Sequence, residues 1–302
     1  MKPTSFEYHA PDSVEEALAL LREHGWDAKA LAGGQSLIPA MNFRLARPTV
    51  LVDLNRIDGL AFIRRNEDEG GDGGPGPGGV RIGAMTRQRA VERSELVAEL
   101  APLLTEMMPH IAHPQIRNRG TFGGSAVHAD PASEIPAALL ALDACCRVRG
   151  PEGERWVRAE EFFLGLFSTS LEPDELLIEI ALPGPRERTG CAFREIARRQ
   201  GDYALAGLAT RLALDVDGRI QEARLAYLGV GGAPALATSA SAAVLIGEKP
   251  TEAVVEEAAR TAGGELEPME DMHASAAYRV RLVEVLTREA LSVAVERASG
   301  SG

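Results

Sequence analysis

Two glycine pairs mark where this chain can do chemistry. The first lies in Ala32-Gly33-Gly34-Gln35-Ser36-Leu37, and the second in Thr121-Phe122-Gly123-Gly124-Ser125, about 90 residues later. Paired glycines let successive N–H groups turn outward, because no Cβ blocks them and φ > 0 is accessible. Such amides form an anion nest, and a helix starting just beyond adds partial positive charge. The first stretch therefore reads as a diphosphate holder, with a plain strand-to-helix turn as the alternative. Recurrence of the pattern, each time flanked by hydroxyl residues, favours the anion reading. Arg117 and Arg119 precede the second pair, and Asp130 and Glu134 follow it. The arginines read equally well as solvated or as facing a partner.

Other chemistries lack their residues. There is no GxSxG, no HExxH and no GxxxxGK[ST]. Gly74, Gly76 and Gly79 formally spell GxGxxG. They sit in an acidic Gly/Pro tract (66–79) with no strand before it and a strand, not a helix, after it. That tract reads as a flexible hairpin tip. His110 and His113 are the one close histidine pair, and no further metal ligand accompanies them. Cys145, Cys146 and Cys191 have neither CxxC spacing nor the pattern of a disulfide framework. No metal site and no catalytic side chain is expected.

The elements around the pairs follow from patterning. Ser13 and Glu16 open a helix as a capping box, and Gly25 ends it. Residues 28–31 form a strand into the first pair, 48–53 a second strand and 60–64 a third. After the strand at 80–84, a broken helical region runs to residue 108. A helix at 133–142, a hairpin at 146–158 and a strand at 175–182 complete a first domain. Prolines at 183 and 185 mark a boundary. Beyond it, strands at 191–197, 205–214 and 220–228 precede helices at 239–246, 251–261 and 276–296. That order gives an α+β domain with a three-stranded antiparallel sheet and helices on one face.

The 302 residues are 45% hydrophobic, enough for two or three cores. Asp+Glu number 44 against 32 Lys+Arg, a net charge of −12, and aromatics are 5%. No basic stripe suggests nucleic acid. No apolar run is long enough to span a membrane, and no signal-peptide h-region is visible. A reducing cytoplasm fits the cysteines.

Ala32 to Pro39, with Asn42-Phe43-Arg44-Leu45-Ala46-Arg47-Pro48 and Leu51-Val52-Asp53-Leu54, resembles the first flavin-binding motif of the medium subunit of molybdenum hydroxylases, the carbon monoxide dehydrogenase and xanthine dehydrogenase family. The stretch from Ile116 through Ser125 and on to Ala129-Asp130-Pro131-Ala132-Ser133-Glu134-Ile135-Pro136 resembles the second. Arg198-Arg199-Gln200-Gly201-Asp202-Tyr203 resembles the flavin-facing segment of the C-terminal domain. The resemblance covers essentially the whole chain.

It implies a vanillyl-alcohol-oxidase (PCMH)-type FAD-binding domain of two α/β subdomains over 1–183 (about 1–56 and 57–183), then a C-terminal domain over 188–298. It implies FAD as cofactor. Ala32, Gly33, Gly34, Gln35, Ser36 and Leu37, with Thr121, Gly123, Gly124 and Ser125, would wrap the diphosphate, and Lys29 would sit at the rim. Asp130 and Glu134 would lie near the flavin or its ribityl side. Tyr203, beside Asp202, would lie over the isoalloxazine. Thr121 and Ser125 as helix caps, Asp130 as an Asx turn and Glu134 as a first-turn carboxylate are the structural alternatives. Gln35 stands where many members have His, and Phe122 where Ile is frequent. The implied partners are a large molybdopterin-binding subunit and a small [2Fe–2S] subunit, as a dimer of heterotrimers. Electrons would run from molybdenum through the clusters to FAD, then to NAD, a quinone or oxygen. A stand-alone flavin oxidase or dehydrogenase, or a binding protein that lost FAD, are the rivals. Deleting residues 70–78 should leave flavin content unchanged by visible absorbance; loss of flavin would put the tract at the site.

Overall fold

A computed structural model of the chain describes residues 2–68, 74–232, 235–237 and 240–300. The first lobe comprises β1 (Glu7–His9), α1 (Val14–His24), β2 (Ala28–Leu31), α2 (Leu37–Asn42) and β3 (Val50–Asp53). Its sheet runs β1-β3-β2, parallel throughout. The box at α1 forms as expected: Ser13 accepts from the N–H of Glu16 at 3.2 Å, and the Glu16 carboxylate takes the Asp12 N–H at 3.1 Å. Strand β1 was not expected, because Glu-Tyr-His is too short and too polar to stand out.

The second lobe begins with β4 (Ile63–Arg65) and β5 (Val80–Gly83). Short helices follow: α3 (Gln88–Glu92), α4 (Glu95–Leu100), α5 (Pro102–Met107), α6 (Pro114–Arg117), α7 (Phe122–His128) and α8 (Glu134–Ala141). Then come β6 (Cys145–Gly150), β7 (Gly153–Arg158), α9 (Ala159–Phe162), β8 (Phe163–Gly165), β9 (Ser168–Thr169) and β10 (Leu176–Leu182). The main sheet is antiparallel in the order β4-β5-β10-β6-β7. Residues 69–73 of the Gly/Pro tract lie outside the described residues, but its base is anchored. Buried Asn66 donates to the Pro75 and Gly76 carbonyls at 2.8 and 2.9 Å, and Gly74 packs on Trp156.

The third lobe has β11 (Thr189–Ala197), β12 (Ala204–Leu214), β13 (Ile220–Leu228), β14 (Ala235–Ala237), α10 (Ala240–Leu245), α11 (Glu252–Glu265) and α12 (Ala276–Ala298). The three expected strands form an antiparallel sheet, and β14 adds a short fourth at the β13 edge. Ser239, expected to start a helix, lies outside the described residues. Among the described residues no helix is long and apolar enough to cross a membrane.

Helix α8 joins the lobes. All 8 of its residues are buried, so it has no wet face. Its apolar residues share one core with β5, β6 and β10 on one side and with Phe193, Ala209, Ala226 and Leu228 of the third lobe on the other. The carbonyls at its C-terminal end have no helical partner. Arg224 Nε donates to the Leu140 carbonyl at 3.0 Å, and Arg211 to that of Leu142 at 3.1 Å. Two cations from the third lobe thus cap the negative pole of the helix. Leu139→Ala at the centre of this core should cost about 2–5 kcal/mol of stability, read from the denaturant midpoint.

Candidate functional site

The first glycine pair leaves β2 as the chain turns into α2. Gly34 has φ +72°, where any side chain is strained, and a Cβ there would also meet Ile38 and Leu31 side chains at 3.2 and 3.3 Å. Strain and neighbouring side chains, not space reserved for a ligand, therefore make residue 34 a glycine. Gly33 is fixed by a closer approach. A Cβ on it would lie 2.4 Å from the Arg119 carbonyl oxygen and 2.8 Å from the Gly120 Cα. The first lobe thus rests directly on the chain leading into the second glycine pair.

A polar bridge spans the same seam. Asn55 donates to the Ala32 carbonyl at 2.9 Å and accepts from Arg87 at 2.5 Å. Arg87 also donates to the Arg119 carbonyl at 2.6 Å. Asp53 braces Asn55 by accepting its N–H at 2.9 Å, and takes the Tyr8 hydroxyl at 2.5 Å. Burial and the neighbouring Arg119 charge lower the Arg87 pKa, while Asp53 opposes them. Of these bridge residues only Asp53 falls in a motif; Tyr8, Asn55 and Arg87 carry no signature. They are polar side chains whose partners are far away in sequence.

Between β2 and α2 the backbone amides are left over. Among the described residues, no protein acceptor takes the N–H of Gly33, Gly34, Gln35, Ser36 or Leu37. The Gln35 side chain donates back to the Gly33 carbonyl at 3.0 Å, closing the loop on itself. Leu37 starts α2, and Lys29 is exposed on β2. Five successive free donors at a helix start suit an anion with several acceptor oxygens, such as a diphosphate.

The second pair is built differently from the expected open loop. Thr121 is the N-cap of α7, and its hydroxyl accepts from the Gly124 N–H at 3.1 Å. The N–H of Phe122 goes to Thr86, that of Gly123 to Ala84 and that of Ser125 to Thr121. These amides are spent within the protein. Gly123 is a packing glycine, since a Cβ would lie 2.6 Å from that of Ala84. What this segment leaves towards a ligand is the Ser125 hydroxyl, whose Oγ lies 3.1 Å from Ser133 Oγ, because Thr121 is buried with its hydroxyl engaged by Gly124.

Helix α7 ends at Ala129, a left-handed residue with φ 49°. Asp130 then makes an Asx turn, accepting the Ala132 N–H at 2.9 Å. Glu134 follows in the first turn of α8 and is only 7% exposed. Burial, reinforced by Asp130, raises its carboxyl pKa to about 7 against the pull of its own backbone N–H and Arg117. Arg117 is not solvated: it is buried, pairs with Glu92 at 2.8 Å and donates to the Ile111 carbonyl at 2.7 Å. Burial opposes ionisation of Glu92, but hydrogen bonds from Arg117 and Arg89 hold its carboxyl below the usual range. Arg119 is exposed.

The turn between β11 and β12 brings Asp202 and Tyr203 to the same region. A Cβ on Gly201 would meet the His113 ring at 2.7 Å and the Ala112 carbonyl at 2.9 Å, so the turn sits on the segment braced by Arg117. Asp202 is an exposed turn residue. Tyr203 is 68% exposed, its ring free of the core. Partial burial and then the carboxylates of Asp130 and Glu134 push its phenol up, which brings Asp130, Glu134 and Tyr203 into one electrostatic neighbourhood. Glu195 on β11 belongs there too, although no motif marked it. Burial first, then the Glu134 charge, raises its pKa to about 8.

Residues 4–185 match the family described as FAD binding domain in molybdopterin dehydrogenase, and residues 191–294 match the CO dehydrogenase flavoprotein C-terminal domain. The 6-hydroxypseudooxynicotine dehydrogenase complex subunit alpha of Paenarthrobacter nicotinovorans is 42% identical, covering 99% of this chain and 97% of its own. The carbon monoxide dehydrogenase medium chain of Hydrogenophaga pseudoflava is 40% identical, covering 99% and 100%. The solved structure of reconstituted CO dehydrogenase from Oligotropha carboxidovorans contains a chain with a TM-score of 0.91 and 38% identity, covering 98% of this chain and 100% of that one.

Gly33→Ala should push the two lobes apart and cost about 1–3 kcal/mol, seen as a lower denaturation midpoint. Gly76→Ala, where an added Cβ has no neighbour within 4 Å, should leave the midpoint unchanged.

Proposed function

This chain belongs to the family of FAD-binding medium subunits of molybdenum hydroxylases, and from that premise we propose that it holds one FAD across the seam of its lobes and passes electrons through it. The observation that carries the reading is the row of five unpaired amides at residues 33–37. These donors, with Ala32 closing the strand end, bind the diphosphate without lysine. The Ser125 hydroxyl adds to them from the second segment, in which Thr121 holds the helix start and Gly123 and Gly124 serve packing and approach. Lys29 lies at the rim. Asp130 and Glu134 face the ribityl and ring end with Asp202, and Tyr203 offers its exposed ring as a stacking face with a polar tip. Bound FAD supplies the two-electron chemistry, and the chain's part is binding, orientation and electrostatics.

The proposed setting is a cytoplasmic complex with a large molybdopterin-binding subunit and a small [2Fe–2S] subunit, assembled as a dimer of heterotrimers. Electrons arrive from the clusters and leave to an external acceptor. The domain limits proposed are 1–183 for FAD binding and 188–298 for the C-terminal unit, consistent with the matched segments.

Flavin absorbance of the purified chain after FAD addition tests the reading. A chain that stays colourless would overturn it, and turnover of a small alcohol or amine by the chain alone would favour an independent oxidase. Gly34→Val should lose bound flavin, since a β-branched residue cannot comfortably hold φ +72°; normal flavin content would remove the first loop from the site. Tyr203→Ala should shift the flavin potential or spectrum while moving stability by less than about 0.5 kcal/mol, because the ring is largely exposed; an unchanged flavin would exclude Tyr203.

A further inference from the structure

The strand that follows Tyr203 starts with a β-bulge. Pairing of β11 with β12 matches Ile196 to Ala206 and Ala197 to Ala204, so Leu205 has no partner on β11. On the other edge, the ladder of β12 with β13 ends at Gly207 opposite Leu228. The carbonyls of Leu205 and of Gly229, the residue after β13, therefore lie outside both ladders. A bulge leaves backbone groups unpaired, bends the strand and re-aims the side chains beside it. Gly229 crosses this bulge at close range. It has φ +75°, and a Cβ on it would lie 2.7 Å from the Ala204 carbonyl oxygen. Its N–H donates to the Pro131 carbonyl at 2.9 Å. Gly229 is thus a joint between the residues that follow Tyr203 and the loop that begins at Asp130.

One side chain takes both carbonyls. Arg279, four residues into α12 and buried, donates from Nη1 to the Leu205 carbonyl at 2.5 Å and to that of Gly229 at 2.8 Å. Its Nη2 donates to Asp271 at 2.8 Å, and its Nε is buried without a partner. Asp271 is oriented in turn by the N–H groups of His273 and Ala274, at 2.8 and 3.0 Å. The other end of the Tyr203 turn reaches the same loop, because Arg198 donates to His273 Nδ1 at 2.8 Å. A guanidinium has no acceptor, so the imidazole nitrogen must be the bare one. Residues 271–279 therefore hold the turn at both ends, while Gly201 rests on His113.

The stability of α12 does not account for this arginine. A cation near the start of a helix works against the helix dipole, and a buried N–H without a partner adds to the cost. Two carbonyl oxygens that converge also repel each other unless a donor lies between them. The guanidinium supplies that donor, and its fork lets Asp271 fix its orientation at the same time.

We propose that Arg279 is the positioning residue for Tyr203: it clamps the Leu205 bulge to Gly229 and so fixes the Tyr203 ring relative to the loop at residues 130–131. The effect on the flavin rests on the FAD reading above; the clamp does not. Asp271 orients the guanidinium. A lysine at this position would keep the charge but not the fork, and could not serve both carbonyls and the carboxylate in one geometry.

The test uses the full chain with Arg279→Lys, Asp271→Asn, Tyr203→Ala and the double variant of Arg279→Lys with Tyr203→Ala. In FAD-free protein, hydrogen exchange of the Gly229 amide should be about tenfold faster in Arg279→Lys, the change in opening that follows loss of one charge-assisted hydrogen bond. Exchange in the middle of α12 and in β3 should stay at the wild-type rate. Unchanged exchange at Gly229, or equal acceleration at all three places, would overturn the clamp, the second outcome being general loss of stability. In FAD-loaded chain, Arg279→Lys should shift the flavin midpoint potential in the same direction as Tyr203→Ala, and should add nothing to it in the double variant. An unmoved potential in Arg279→Lys, or shifts that simply add, would overturn the link to Tyr203 alone. A wild-type chain that takes up no FAD would sink the FAD reading while the exchange arm still judges the clamp. If Arg279→Lys fails to fold, Asp271→Asn, at an exposed carboxylate, reads the same two effects in the same directions.

Discussion

The chain at residues 119–120 leaves no space for a methyl group on residue 33, and the geometry of the site depends on that approach. Two lobes with separate sheets meet backbone to backbone there. Such contact also brings carbonyl oxygens towards one another, which is unfavourable unless donors intervene. Asn55 and Arg87 supply them, each taking a carbonyl on one side of the seam and joining the other's side chain in the middle. Apolar packing brings the lobes close, and the hydrogen bonds fix their register. The loop at 33–37 is held open as a result: its amides lie beside a contact that is already complete, and no protein acceptor reaches them.

Helix α8 applies the same economy on a larger scale. A helix with no wet face must have both ends attended to, because its terminal groups cannot reach bulk water. The third lobe attends to the carbonyl end with two arginines. The amide end carries a carboxylate in its first turn, which the helix dipole favours and burial opposes. Burial wins, and the carboxyl pKa is raised to about 7. The third lobe, which supplies none of the unpaired amides, thus caps the carbonyl end of this helix.

The strands and long helices were legible because their patterns are local: the buried runs of β3 and β10, the capped start of α1 and the turn at Asp215 to Gly218 between β12 and β13. The first glycine loop was legible for the same reason. The second was read as another open nest, and the structure makes it the first turn of a helix, with Thr121 as cap and its amides spent. Nothing in Thr-Phe-Gly-Gly-Ser says that Ala84 and Thr86 will claim two of those amides, since that pairing spans more than 35 residues. Glu195 was invisible for a related reason. It sits in a strand as an ordinary charged residue, and only tertiary packing leaves its Oε2 buried without a hydrogen-bond partner. The Asx turn at Asp130 and the first-turn position of Glu134 were legible as local patterns, but the burial that raises the Glu134 pKa is a tertiary property.

The capping of α8 by Arg211 and Arg224 also sets an order of events during synthesis. The chain emerges from its N-terminus, and its early lobes begin to fold before the third lobe exists. Until residue 224 has left the ribosome, the carbonyl end of α8 lacks its cations and one flank of the helix has no sheet to cover it. The amides at residues 33–37 lie far earlier in the chain, so their loop can form while the third lobe is still unbuilt. A newly made chain thus passes through a stage in which the seam between its first two lobes can close while one flank of α8 is still bare.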